Sequence, residues 1–433
     1  MEGEVLALLQ RAFAPNAPKV HPDRCLNARH KEAGCRLCVD ACPTDAIGLR
    51  EGRPILDREQ CARCGLCLHT CPTDAFTQAR PAEATLLETV AQLGDHPVEL
   101  FCPLHPEPER TQAPVAVRVR HKRCLAALAP EHLLALSQDG QRPLWLDDSI
   151  CDRCPLGVNQ APIAQAATQA NRLLEALGRP PAIHRHSQEA PQLPAQAEAK
   201  PLVDGSQPRV SRRGLLGALG RRVQERAAQV QDQLPDGPAP SSRSVEERLP
   251  QQTPESRRRL LARLAPLLRE GLESGALDAQ APLSTEGLPL AQVTVDAEAC
   301  SGCRLCARFC PTGALAFQAE VSFLHAMAAD ERAAFQLTFR PALCLDCDIC
   351  TVACPEDAVG LEERMPLAGL LPETEELLVQ GQLVACQECR VPTAPRPGDE
   401  IPLCHVCRAS GHGIRGHGKS PADDDGAWIR KLF

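Results

Sequence analysis

The sequence has no tyrosine, two tryptophans, nine phenylalanines and three methionines in 433 residues. So few large side chains cannot fill a conventional core for a chain whose length alone suggests two to four domains. It also lacks any uncharged apolar run approaching the roughly 18 residues that a membrane-spanning helix needs. The opening stretch, MEGEVLALLQRAFAPNAPKV, sets acidic residues ahead of a short apolar helix, unlike a secretory signal. No membrane span and a cytoplasmic location are therefore expected. Positive charge is short as well. With 47 basic against 55 acidic side chains the formal charge is −8, which argues against nucleic acid, whose phosphates need a basic surface. An acidic surface suits docking onto a basic patch of another protein.

Cysteine is what the chain has in abundance: 24 residues, all falling into sets of four by local spacing. Disulfide scaffolds are usually short, whereas long cysteine-free segments interrupt this chain. Metal ligation accounts for the pattern better. Bonds to metal that tie distant segments together also stand in for the missing core.

The clearest signal is Cys300-Ser-Gly-Cys303-Arg-Leu-Cys306-Ala-Arg-Phe-Cys310-Pro311, with its companion Cys344-Leu-Asp-Cys347-Asp-Ile-Cys350-Thr-Val-Ala-Cys354-Pro355. Zinc sites use two pairs separated by a long gap rather than four closely spaced thiolates ending in proline. The doubled C-x2-C-x2-C-x3-C-P run resembles bacterial two-cluster ferredoxins over all eight ligand positions. In that family three thiolates wrap a tight loop around three corners of a cube, and the fourth reaches the other cube. The resemblance thus implies one [4Fe–4S] cluster on Cys300, Cys303, Cys306 and Cys354, and a second on Cys344, Cys347, Cys350 and Cys310. The interval between the runs is long, and VSFLHAMAADERAAFQL within it is expected to add a helix.

Nearer the N-terminus the same resemblance holds with one departure. Cys61, Cys64, Cys67 and Cys71-Pro72 match, but nine residues separate Cys25 from Cys35, which Cys38 and Cys42-Pro43 follow. Crossing implies clusters on Cys25, Cys35, Cys38 and Cys71, and on Cys61, Cys64, Cys67 and Cys42. The long gap reads as an enlarged loop. The alternative is that Cys25 is no ligand, which leaves a three-iron cluster or a water-exposed iron.

Eight cysteines remain. Strands at VELF (98–101), VAVRVR (115–120) and PLWLD (143–147), with helices at 129–140 and 163–177, make 82–180 a small α/β domain. Cys102, Cys124, Cys151 and Cys154 lie at its strand ends or in the adjoining loops. The pattern distantly resembles small α/β iron–sulfur subunits that shuttle electrons between hydrogenases and disulfide reductases. A fifth cluster, zinc, or two buried structural pairs all remain open there. Cys386-x2-Cys389 and Cys404-x2-Cys407 resemble a zinc ribbon or a rubredoxin. Both metals bind four thiolates tetrahedrally, so spacing leaves zinc, iron or a further cluster open, with structural zinc preferred.

The expected architecture is α+β. A dicluster ferredoxin module at 15–81 precedes the α/β domain at 82–180. A linker with a basic helix (181–254) and an amphipathic helix (255–285) lead to a second dicluster module at 286–365. A four-cysteine zinc-ribbon-like module (366–410) and a flexible tail (411–433) complete it. The tail's Gly413-Ile-Arg-Gly416-His-Gly418-Lys419-Ser420 matches a phosphate loop formally, without the strand and helix such a loop needs, so no nucleotide is expected. Ser211-Arg-Arg-Gly-Leu-Leu-Gly217 looks like a twin-arginine signal, as in accessory ferredoxins of the nitrate reductase system. Its internal position makes it a basic helix start instead. His30, His69, His121 and His325 read as surface or packing residues, because sulfur already completes every quartet. No catalytic constellation stands out.

The expected function is that of an electron carrier, polyferredoxin-like, passing single electrons through four [4Fe–4S] clusters. Its partner would be a larger redox enzyme, a dehydrogenase or reductase complex. Two alternatives are an accessory factor that matures a metalloenzyme and an iron–sulfur oxidoreductase with its site in the central α/β domain.

Overall fold

The computed structural model describes residues 3–13, 16–78, 82–157, 160–189, 193–194, 196–207, 251–323 and 326–410. The basic stretch at 211–233, the twin-arginine-like segment within it, His325 and the tail from 411 lie outside the described residues. The chain divides into two compact units. One comprises Met1–Ala28, Gly34–Ala239 and Pro254–Ala281; the other comprises Arg29–Ala33, Pro240–Thr253 and Pro282–Phe433.

In the first unit, short antiparallel pairs frame the cysteine loops: Lys19–Val20 with Phe76–Thr77, and Ile47–Arg50 with Arg53–Leu56. The helices Leu37–Asp40 and Leu66–Thr70 begin inside the cysteine runs. The core here is partly sulfur, since Cys38, Cys67 and Cys71 pack with Ile47, Leu68, Ala75 and Phe76. That is how a stretch so poor in aromatics closes on itself.

The same unit holds a five-stranded, wholly parallel sheet. Across it run Leu202–Asp204, Val117–Arg120, Val98–Phe101, Leu144–Leu146 and Ile183–Arg185. The first strand in sequence, Val98–Phe101, is central; the chain adds the next on one side and then crosses to the other. Val98, Leu100, Phe101, Val119, Leu144 and Leu146 are all buried, as in parallel sheets flanked by helices. Helix Gln160–Ala176 buries Ile163, Ala166, Ala167, Ala170, Leu173 and Leu174 along one face.

The reading of 181–254 as a linker is corrected by this sheet. Ile183–Arg185 and Leu202–Asp204 are its two outer strands. Each is three residues long within Pro- and Gln-rich sequence, so pairing with a distant strand, not local pattern, makes it extended. Helix Glu255–Glu273 also belongs to this unit; it runs through Pro266 and buries Leu260, Leu261, Leu264 and Leu268. Its Arg263 reaches Asp139 at 3.4 Å.

A fully buried arginine braces the sheet. Arg118 donates to the carboxylates of Glu99 and Asp147. It also donates to the carbonyls of Glu107 and Pro108 at 2.9 and 2.8 Å, and to that of Arg110. Those carbonyls lie in the loop that follows Cys102, so one guanidinium fixes that loop to two strands.

In the second unit Gln292–Val295 pairs with Val359–Glu362, again framing the cysteine loops. Beside them, Leu315–Ala319, Arg332–Phe339, Glu376–Ala385 and Pro392–Thr393 form a four-stranded antiparallel sheet. The helix expected between the two half-motifs is therefore a correction: Arg332–Phe339 is a strand. Ala333, Phe335, Leu337 and Phe339 are buried and alternate with more exposed neighbours, a period of two that fits a half-buried strand.

Arg118→Ala should leave the buried carboxylates of Glu99 and Asp147 with only the rings of His186 and His105 as ionic partners and destabilise the α/β domain by about 3 kcal/mol. Hydrogen–deuterium exchange checks this: the Val98–Phe101 strand should lose protection while Gln292–Val295 keeps its own.

Candidate metal centres

Three of the C-x2-C-x2-C loops share one backbone device. The residues on either side of the middle cysteine have positive φ: Arg63 and Gly65 (62° and 91°), Gly302 and Arg304 (64° and 59°), Asp346 and Asp348 (52° and 59°). Left-handed residues in such a tight turn gather peptide N–H groups into a concavity suited to anionic sulfur. A Cβ at Gly302 would also sit 2.7 Å from Leu383 Cδ2, so that side chain would have to shift to admit one.

The displaced run keeps part of this device. Gly34, before Cys35, has φ 59°, but Arg36 after it has φ −129°. Cys25 follows the turn Pro22–Arg24 with φ −63° and ψ 142°. Cys344 follows the turn Pro341–Leu343 with φ −66° and ψ 138°. Cys25 thus has the local geometry of a first ligand. Asn27 closes the enlarged loop: its Nδ2 donates to the Cys35 carbonyl at 2.9 Å and its Oδ1 accepts from the Cys35 N–H at 2.8 Å. Sequence reading missed Asn27, because a single amide in a loop carries no signal of its own.

The structure gathers the cysteines in crossed sets. Burial and the nearby Cys71, Cys25 and Cys35 push the Cys38 thiol up to about 12. Cys42, Cys61, Cys64 and Cys67 line one cavity, where burial raises Cys64 to about 11. Cys300, Cys303, Cys306 and Cys354 line another, where burial raises Cys303 to about 11. Burial raises Cys347 to about 12 and also lifts Cys350, with Cys344 and Cys310 adding to both. Crowded thiols held in this way ionise only if a cation joins them, which suits an iron–sulfur core.

Further contacts address the sulfurs at the run ends. The Ala75 N–H donates to Cys71 Sγ and the Ala358 N–H to Cys354 Sγ, both at 3.3 Å. Hydroxyls of Thr44, Thr73 and Thr312 lie 3.8, 3.6 and 3.7 Å from Cys42, Cys71 and Cys310. The recurring Cys-Pro-Thr triplet was a legible clue. At the fourth run Glu356 replaces the threonine.

Cys386, Cys389, Cys404 and Cys407 are arranged differently, with their sulfurs all within 4.8 Å of one another. Cys389 and Cys404 Sγ lie 3.6 Å apart, close to the roughly 3.8 Å edge of a tetrahedron with metal–sulfur bonds of about 2.3 Å. The donor set and spacing fit a single zinc or iron. Helix His405–Ala409 starts in this knuckle and carries Arg408, which bonds Glu356 at 2.8 Å; Arg396 bonds the same carboxylate. A folded knuckle thereby supplies two cations to an acid beside Cys354.

Cys102, Cys124, Cys151 and Cys154 also meet, around one cavity in the α/β domain. His69 and His121 stand near Glu83, at 3.8 and 3.7 Å, rather than among the sulfurs.

Two stretches of the chain, residues 33–75 and 299–358, match the family described as the 4Fe-4S dicluster domain. The first begins after Cys25. No curated protein and no solved structure matches the chain.

Because metal must displace protons from thiols raised by burial, loading releases protons, and apparent iron affinity should rise with pH up to the range of those thiols. Retention of iron against a chelator, measured between pH 5 and 8, should improve steadily upward. Removing the knuckle metal by Cys404→Ala should unfold the helix carrying Arg408 and unpair Glu356. Bleaching in air should then be faster for the cluster set that includes Cys354 than in the parent protein.

Proposed function

We propose that this chain, which carries two 4Fe–4S dicluster domains, is an electron-transfer protein holding four [4Fe–4S] clusters and passing single electrons to or from a larger redox enzyme. The observation that carries this reading is the crossing of the thiols. Cys71 raises Cys38, Cys42 lines the Cys61–Cys67 cavity, Cys354 lines that of Cys300–Cys306, and Cys310 raises Cys347. Each run thus lends a sulfur to its neighbour's set, which brings the two sets of a module close together.

Bound clusters would supply reversible one-electron chemistry with no bond made to substrate. The chain's own residues do the rest. Thiols hold the iron, while the N–H groups of Ala75 and Ala358 stabilise thiolate charge and so raise the potential of the sets they face. Buried apolar neighbours keep water from the sulfurs. The four-cysteine knuckle is read as structural, binding one zinc, with its two arginines on Glu356. All 24 cysteines are free of disulfides, which fits a reducing, cytoplasmic compartment. Among the described residues no helix is long and apolar enough to cross a membrane. The acidic balance of −8 favours a partner with a basic docking face.

Anaerobic purification with iron, sulfide and zinc assays tests the reading. The four dicluster sets should contribute about sixteen irons and as much labile sulfide. Dithionite should reduce them reversibly, with the paramagnetic signals of coupled cluster pairs. Absence of labile sulfide would sink the proposal.

A further inference from the structure

We propose that Cys102, Cys124, Cys151 and Cys154 bind a fifth [4Fe–4S] cluster, placed against the Cys61–Cys67 loop so that it extends the first dicluster domain into a three-site path. The inference rests on the electron-transfer reading for its use, but not for the existence of the site.

Topology makes the first argument. Cys102 directly follows the central strand Val98–Phe101, Cys124 follows Val117–Arg120, and Cys151 and Cys154 follow Leu144–Leu146. These are the carboxyl ends of three adjacent parallel strands, on either side of the point where the strand order reverses. Ligands of open parallel sheets collect at that crevice.

Spacing then chooses the ligand. The four cysteines line one cavity, walled otherwise by Asp147 and the apolar side chains of Phe13, Leu104, Leu125, Ile150 and Ile163. The Cys61 set and the Cys300 set likewise each face a common cavity inside the dicluster domains. A lone tetrahedral ion would need sulfurs as close as in the Cys386 knuckle. Among the described residues no other set of cysteine thiols is gathered within 4.8 Å. Zinc is thus the wrong size for this site. Two isolated pairs fit no better, because all four cysteines line the same cavity.

A direct contact joins this site to the ferredoxin loop. Gly65, next to Cys64, packs so closely on Arg123, next to Cys124, that an added Cβ would lie 2.7 Å from the Arg123 side chain and 3.1 Å from Ala127. With clusters bound at both sites, one electron would pass between them with no atom transferred, one cluster being oxidised by one as the other is reduced by one.

The test compares the full chain with Cys102→Ala/Cys151→Ala. Parent protein should contain about twenty irons, and the variant about sixteen, with sulfide falling in step. Retention of those sixteen shows that the dicluster domains still fold. In reduced samples the variant should also lose the fast spin relaxation that a third nearby cluster imposes on the Cys61 set. A milder variant, Cys154→Ala, replaces one half-buried ligand and should shift or bleach one cluster signal only. Loss of zinc instead of iron, loss of two irons, or no loss of metal would each overturn the inference. Failure of the wider electron-transfer reading would look different, as clusters present at full count that no reductant reduces reversibly.

Discussion

Thiols crowded in fours inside a protein oppose their own ionisation. Burial disfavours each thiolate, and neighbouring sulfurs add repulsion, which is why Cys38, Cys64, Cys306 and Cys350 are all raised. Only a cationic core reverses that balance, and iron supplies it while also joining segments far apart in sequence. The constraint shapes everything else. In the first dicluster domain, Cys38, Cys67 and Cys71 belong to the same buried cluster as Ile47 and Phe76, so metal site and hydrophobic core are one object. Folding and loading are then a single equilibrium.

One amino acid is put to two uses, and distance separates them. Where sulfurs stand apart around a cavity they suit a cluster of several irons; where they close to 3.6 Å, as between Cys389 and Cys404, they suit one ion. The compact knuckle shapes backbone, and through Arg396 and Arg408 it answers a negative charge beside Cys354. The wider sets are suited to store and move charge. A single ion held by four thiolates is enough for the first task.

How much of this was legible in the sequence follows from the range of each interaction. The spacing of Cys300–Cys310 and Cys344–Cys354 is local and marks the tight loops unambiguously. The central strands at 98–101, 117–120 and 144–146 showed as apolar runs. The crossing of sets came only with the family resemblance, because no spacing says which distant sulfur completes a site. Ile183–Arg185 and Leu202–Asp204 were missed for the same reason: three residues each hold no periodicity, and a partner strand far along the chain makes them extended. Arg332–Phe339 was misjudged because Ala, Met and Glu just before it favour helix, while its alternation answers to a sheet completed by Glu376–Ala385. Asn27 and Arg118 act through contacts visible only once the loops they join are folded.

The hairpin formed by Leu315–Ala319 and Arg332–Phe339 has a consequence for how such a chain diversifies. Its strands are held in register by a third, Glu376–Ala385, while the ligand runs attach at the opposite ends, Cys310 before it and Cys344 after it. Met327, packed with Ala333 and Ala385, and Phe323, under Arg304, anchor the connection between the strands, so residues added between those two anchors cost only the slow, logarithmic entropy of a longer loop. Evolution can decorate that tip with new recognition surface while the redox apparatus below it is inherited intact.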